Sequence, residues 1–402
     1  MTTSTAADAA LLTGTRRTAA PAVLTACVFV VGTAEWSVVG LLPELAADLD
    51  RPLPAVGSLV TWYALVVTLT GPPVTVLMLR LPRRRALLTL LGVFVAGNTA
   101  AALADGLGVL LAARMLTALT HGTVFAVAVV IAVSMTPETG RGRAIAVVSA
   151  GWNLATFLGA PLGTWIGDHH GWRTTFACIA AFGALMLVAV ALLVRPPAPG
   201  TDGRARGEIR GMLGRGVATI LAITVVAQAG MFTAYTYVAP LLREAGGFSA
   251  AAVTTLLALF GLGALGGNVL GGRLADRASD AALCGTLAAL AVVLAAFALT
   301  GRAQWAGVAV VPALGAASGA LIPLLQARAL IAAPLAPTLV TAIGASAVNL
   351  GIAAGAEIGG RALAAGVPLG GLGWVGALVT SVAMLMAAAT ARRHTRPGHD
   401  PN

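Results

Sequence analysis

The 402-residue chain contains no lysine, and only 10% of its residues are charged. Soluble domains carry about 25% charged residues, so this deficit excludes an ordinary cytosolic enzyme. Without lysine there is no Walker loop, which ends in Gly-Lys, and ATP-driven pumping by this chain is excluded too. The cysteines, Cys27, Cys178 and Cys284, lie far apart in apolar runs. They offer neither a metal-ligand spacing nor a disulfide framework, and no metal or other cofactor is expected. What is abundant is apolar: 58% of residues are hydrophobic and the mean hydropathy is +0.90. That excludes disorder, which needs low hydrophobicity. A net charge of +10 and a pI near 11.2 would suit nucleic acid only on a basic face of a soluble domain. Here the arginines fall in short breaks between apolar stretches, so the expected partner is a lipid bilayer and not nucleic acid.

A bilayer core takes about 20 apolar residues per helix. Such stretches lie near 20–42, 56–79, 86–104, 108–134, 143–165 and 174–194, then near 215–240, 250–272, 281–300, 304–327, 337–361 and 369–389. The reading is an all-α polytopic membrane protein with twelve transmembrane helices. Residues 1–19 and 390–402 are expected as cytoplasmic tails, and 195–214 as a central cytoplasmic loop between bundles at 20–194 and 215–389. The N-terminal segment is not a secretory signal, because Asp8 comes early and Arg16 and Arg17 directly precede the first apolar run.

The arginines test this topology. With both termini inside, nineteen arginines fall in cytoplasmic segments and five outside, with Arg114 alone within a span. This is the positive-inside bias. It places the chain in the plasma or inner membrane, and a monomer is expected.

The halves also repeat. Asn153, Gly159 and Gly163 in span 5 match Asn349, Gly355 and Gly359 in span 11 at one offset. Leu41-Leu42-Pro43-Glu44 at the end of span 1 is echoed by Leu241-Leu242-Arg243-Glu244 at the end of span 7. Two pseudo-symmetric six-helix bundles imply a cavity opened alternately to each side by rocking.

Several short motifs add to the repeat. Gly272-Arg273-Leu274-Ala275-Asp276-Arg277, after span 8, is similar to the G-x-x-x-D-R loop signature of the major facilitator superfamily. The resemblance implies a cytoplasmic latch built on Gly272, Asp276 and Arg277. The equivalent loop after span 2, Arg80-Leu81-Pro82-Arg83-Arg84-Arg85, keeps the bases, but Leu79 stands where the acid would be. Span 5 carries Gly159-Ala160-Pro161-Leu162-Gly163, which resembles the superfamily's antiporter motif, with Ala155 and Thr164 replacing two of its glycines. Small residues four apart allow close helix approach, and Pro161 frees a carbonyl and bends the helix. Gly171-Trp172-Arg173 with Phe176, the block Gly32 to Trp36 with Val39 to Pro43, Ala113-Arg114, and Tyr235 with Tyr237 resemble the drug:proton antiporter branch. Within it, arabinose-efflux and chloramphenicol-resistance exporters are the nearest type. The resemblance implies proton-coupled antiport, with antibiotic resistance among its expected roles.

Ionisable groups inside spans are costly and mark function by default. Glu35 lies roughly 10 Å from the outer end of span 1, and Arg114 roughly 9 Å from the outer end of span 4, at about 1.5 Å per residue. At equal depth they could face each other. Burial favours a neutral carboxyl and a nearby guanidinium favours the carboxylate, so a cationic substrate near Glu35 would compete with its proton. The competing reading is a static buried pair. His121, seven residues after Arg114, shares its helix face and suits proton relay, though a lone histidine is more often a packing residue. Glu357 has Arg361 one turn on and is explained as a local pair. Asp168, His169 and His170 supply too few ligands for a metal.

Substrate contacts are expected from Trp36, Phe125, Asn153, Gln228, Tyr235, Gln326 and Asn349, with Tyr237 on a different helix face from Tyr235. An apolar cavity with scattered amides favours amphipathic compounds over free sugars. The expected function is a proton-coupled secondary exporter of small amphipathic molecules. A sugar or metabolite exporter, a proton-symport importer and sodium coupling stay open. A receptor or integral enzyme lacks support, since no nucleophile–base or metal constellation falls within the spans.

Overall fold

The computed structural model describes residues 3–78, 81–137, 141–194, 215–275, 280–298, 304–334 and 337–394. All regular structure there is helical. The central segment 195–214 and the latch residues Asp276 and Arg277 lie outside the described residues. Besides the three-residue turn of helix Val238–Pro240, fourteen α-helices follow in order among the described residues: α1 (Thr3–Asp48), α2 (Leu53–Met78), α3 (Arg83–Ala102), α4 (Leu107–Ala118), α5 (His121–Ser134), α6 (Arg141–Leu154), α7 (Ala160–His170), α8 (Trp172–Leu193), α9 (Arg215–Tyr235), α10 (Ala250–Ala275), α11 (Asp280–Phe297), α12 (Gln304–Ala332), α13 (Pro337–Ala364) and α14 (Gly371–His394). Two π-helical turns, Ala155–Gly159 and Leu241–Ala245, extend spans 5 and 7.

Among the described residues eleven helical stretches are long and apolar enough to cross a bilayer. The twelfth expected span, near 337–361, is the continuous helix α13. Outward faces carry large apolar side chains, with Leu69, Leu378 and Leu385 more than 60% exposed. Such faces suit lipid and not water.

The segment expected as an N-terminal tail continues helix α1 ahead of the apolar stretch that begins at Ala19, and its turns are rich in alanine, the strongest helix former. One expectation changes. Span 4 is not one unbroken helix. A turn at Leu119–Thr120 separates α4 from α5, where the hydroxyls of Thr117 and Thr120 donate to the carbonyls of Arg114 (2.8 Å) and Thr117 (2.7 Å). Hydroxyls bonding back to their own helix often bend it.

Contacts divide the chain into two units, Met1–Ser37 with Leu69–Thr201 and Val38–Thr68 with Asp202–Asn402. In the first, α3 packs along α8, α5 along α6, and α1 runs beside span 5. A Cβ at Gly159 or Gly163 would collide with Thr33 or Ser37 of α1. The close approach expected of the antiporter motif is thus an α1–span 5 contact. In the second unit α10 and α12 mesh backbone to backbone. Gly263, Gly267 and Gly271 lie on Pro312, Ala316 and Ala320, while Gly315 and Gly319 return the contact to Phe260 and Ala264. This unit also holds the ion pair between Glu44 and Arg243, which joins the two echoed Leu-Leu segments.

The repeat reappears as matching contacts. Gly355 and Gly359 of α13 pack on Ala229 and Thr233 of α9 and on Tyr237 in the turn after it. The offset of 200 residues that carries Leu41-Leu42 onto Leu241-Leu242 carries Thr33 onto Thr233 and Ser37 onto Tyr237. Both threonines donate to the carbonyl four residues back.

Candidate functional site

The charged interior of the first unit is built from spans 1 and 4. Glu35 projects from α1, and the turn in span 4 puts one basic group on either side of it in sequence. Arg114, in the last turns of α4, is 1% exposed, and its Nη1 donates to the carbonyl of Ala34 at 2.7 Å. Its guanidinium carbon lies 5.9 Å from the centre of the Phe176 ring. His121 opens α5, with Nε2 3.8 Å from Oε2 of Glu35. That is ion-pair range but longer than a hydrogen bond. The charge of Arg114 acts on both Glu35 and His121. The seven-residue spacing assumed an unbroken helix; the turn intervenes, yet both bases still face Glu35.

An aromatic group closes the other side of His121. The Trp152 indole lies 4.6 Å from the imidazole, centre to centre, tilted by 35°. Phe125 approaches the same indole at 6.1 Å. Gly32 makes room for it: a Cβ there would stand 2.6 Å from the indole. Sequence reasoning named Asn153 and passed over Trp152. The complementarity of the smallest residue on α1 with the largest on α6 spans 120 positions and leaves no periodic trace.

Span 5 changes register just after Trp152. The π turn Ala155–Gly159 precedes Pro161, which has no N–H for the carbonyl of Phe157. The wider turn accommodates that loss, and π turns cluster at functional sites.

The remaining candidates are dispersed. Trp36, Phe125 and Asn153 are half-buried in the first unit. Gln228, Tyr235 and Asn349 are buried in the second, and Gln326 is exposed on α12. Tyr235 stacks on Phe260 at 4.3 Å and meets Phe232 edge-on, so its ring here is packing. The Asn349 amide donates to Ala345 of its own helix, and the Tyr237 hydroxyl to Ala356 at 3.3 Å. Glu357 and Arg361 form the expected local pair at 2.7 Å. Gly272 has open space beside it on α10. Arg84, from the basic cluster after span 2, donates to the carbonyl of Ala191 near the end of α8, which ties two helix ends together. Among the described residues no cluster of three or more His, Cys, Asp or Glu could hold a metal.

Residues 24–356 match the Major Facilitator Superfamily. The chain belongs to the major facilitator superfamily. It is 34% identical to the inner membrane transport protein YdhP of Escherichia coli K12, over 73% of this chain and 75% of that one. It is 33% identical to a protein of Mannheimia succiniciproducens named "Probable sugar efflux transporter", over 66% of this chain and 67% of that one. A crystal structure of a bacterial homologue of the human lysosomal transporter Spinster superposes with a TM-score of 0.72 at 16% identity, covering 94% of this chain and 96% of that one. The last likeness is one of fold. Superfamily membership makes the chain a multi-pass membrane transporter of small molecules and not an enzyme.

Proposed function

We propose that this superfamily member is a proton-coupled secondary exporter of small amphipathic molecules, of the drug:proton antiporter type, working by alternating access with both termini in the cytoplasm. The observation that carries the reading is the Glu35–His121 contact, with Arg114 held at the adjoining carbonyl of Ala34. A carboxyl and an imidazole inside a span are costly unless they exchange protons or bind a charged ligand. The carboxylate form of Glu35 attracts a cationic substrate and the neutral form releases it, so substrate and proton compete for one position. The glycines Gly159 and Gly163 seat span 5 on α1 next to this position, a close contact suited to sealing against ion leak.

A second reading, sugar efflux, is favoured by the Mannheimia relative's name. An indole in the same interior as the carboxylate also suits a sugar ring. The two readings separate in one experiment. Cells expressing the chain are loaded with ethidium, chloramphenicol or radiolabelled arabinose, and retention is followed with and without a proton uncoupler. Lower retention of the first two compounds, abolished by the uncoupler, is expected. Export of arabinose alone moves the assignment to sugars, and uncoupler-insensitive export removes proton drive. Asp276→Asn is expected to slow turnover while leaving binding intact, as a latch residue outside the substrate position should.

A further inference from the structure

The proton-bearing pair has a partner that no charge accounting includes. We propose that Trp152 is its positioning residue: the indole holds the His121 imidazole against Glu35, and through it span 5 governs where that imidazole points. The inference rests on the proton-coupled reading above, and adds to it the route by which the antiporter-motif helix reaches the proton.

Three observations converge on this role. The two rings are 4.6 Å apart and tilted by 35°, a close contact that restricts rotation of the imidazole about its χ angles. The carboxylate stands on the imidazole's Nε2 at 3.8 Å, so a small displacement of the ring decides whether a proton can be shared. The indole itself is located from below and from the side. Gly32 gives it a floor on α1, where any side chain would collide, and Phe125 approaches it at 6.1 Å.

The backbone beyond Trp152 supplies the control. Leu154 ends α6 and the π turn begins at Ala155, three residues after the indole. Past it, Gly159 and Gly163 are seated against Thr33 and Ser37. A π turn holds one residue more than an α turn, and resolving it rotates the flanking segments by about 100° relative to each other. The segment that carries Trp152 is seated on α1 as well, by Gly151 against Thr25, Val28 and Phe29, so a rotation there has to release that contact and carries the indole with it. The hydroxyl of Thr156, inside the π turn, donates to the carbonyl of Trp152 at 3.1 Å and ties the two together.

The charged groups seen to bear on the imidazole come from α1 and α4. Glu35 faces it from α1 and the charge of Arg114 reaches it from α4. Cys27 on α1 lies two turns before Glu35, and the charges of α3, which packs on α5, are confined to Arg83, Arg84 and Arg85 in its first turn. The turn of α6 that bears Trp152 carries none.

The repeat offers an internal control. The offset of 196 residues that carries Asn153 onto Asn349 carries Trp152 onto Val348, and the offset for span 1 carries Glu35 onto Tyr235. Where the acid is missing, the indole is missing as well.

The test uses the full-length protein in proteoliposomes and reads the indole directly. The Trp152 component of emission, wild type minus Trp152→Phe, is followed from pH 3 to pH 9. A protonated imidazole held against an indole quenches it, so this component should step with pH. The step should vanish in His121→Gln and move by half a pH unit or more in Glu35→Gln. Ethidium transport driven by an imposed pH gradient is measured alongside. Trp152→Leu should lower it about three- to tenfold, the worth of a contact between rings, and Trp152→Phe should restore most of it. In the His121→Gln background Trp152→Leu should cost nothing further. A flat Trp152 component, a step that survives His121→Gln, or an undiminished loss in that background overturns the positioning role. If the step is present and ethidium efflux ignores the pH gradient, proton coupling fails and the positioning role stands. If the component is flat while Glu35→Gln abolishes gradient-driven efflux, coupling stands and the positioning role fails.

Discussion

The two copies of one helix pair, α1 with span 5 and α9 with α13, keep the same backbone contact and differ in everything chemical beside it. Glycines at equivalent positions press on equivalent residues in both copies, Gly159 and Gly163 on Thr33 and Ser37, Gly355 and Gly359 on Thr233 and Tyr237. Two residues from those contacts the copies part. The first has Glu35 with His121 and the guanidinium of Arg114 close by, and the second has Tyr235 sealed between Phe232 and Phe260. The packing of small residues sets helix approach and tolerates little change. The polar position beside it is free to specialise, and only the first copy has a carboxylate there. We read the first copy as the chemical one and the second as its scaffold.

The largest effect should come from exchanging the corresponding residues. Glu35→Gln keeps the shape and hydrogen bonding of a protonated acid and cannot release the proton. Gradient-driven efflux should fall about 100-fold or more, in the range lost with a positioned proton-transfer group. Exchange of a neutral compound across a membrane without a gradient should persist. A cationic probe should bind the wild type better as pH rises, because the carboxylate is its binding form, and Glu35→Gln should flatten that dependence. Tyr235→Phe should leave drive within about twofold, since the ring's packing survives loss of the hydroxyl. If Tyr235→Phe is the damaging change, the assignment of roles to the two copies is reversed.

Much of this contrast was legible in the sequence and part of it was not. Apolar length and arginine placement gave the spans, because a bilayer imposes both on any chain that crosses it. The antiporter-motif glycines and the repeat were visible as spacing. The break in span 4 was not, because Leu119 and Thr120 are ordinary residues in an apolar run and the break lies in how two threonine hydroxyls bond back to their helix. Tyr235 was expected to touch substrate on the strength of its polarity, and its stacking on Phe260 is a tertiary fact. Trp152 was missed for the same reason. Its meaning lies in Gly32 and His121, which are near it only once the chain has folded.

A middle-sized effect tests whether the second copy's surroundings are scaffold. In the α10–α12 mesh, Gly267 lies on the carbonyl of Ala316, so Gly267→Leu forces the helices apart. Overpacking of this kind costs about 1–3 kcal/mol, read as a lower thermal unfolding midpoint in detergent. Gly272→Ala, five residues on with open space beside it, should change that midpoint little. Equal sensitivity at both positions would show that the mesh does not hold the second unit together. The ion pair between Glu44 and Arg243 is about four-fifths buried on each side, and Glu44→Gln should cost about 1 kcal/mol. The exchanged pair, Glu44→Arg with Arg243→Glu, should recover most of that loss if the contact is electrostatic.

The smallest expected effect is the most telling control. Glu357 sits within span 11, and its carboxylate accepts from Arg361 one turn on, with the arginine side chain 80% exposed. An exposed pair at that spacing contributes only about 0.3–0.5 kcal/mol. Glu357→Gln should therefore barely move the unfolding midpoint, and it should leave gradient-driven efflux at the wild-type rate. The result matters because Glu357 is the acid of span 11, the very span that repeats span 5. If a proton were carried through either copy alike, neutralising Glu357 would slow driven efflux as neutralising Glu35 does. A loss of drive in Glu357→Gln with an unchanged unfolding midpoint would move the coupling acid into the second copy. Preserved drive, beside its collapse in Glu35→Gln, leaves the first copy alone with the proton.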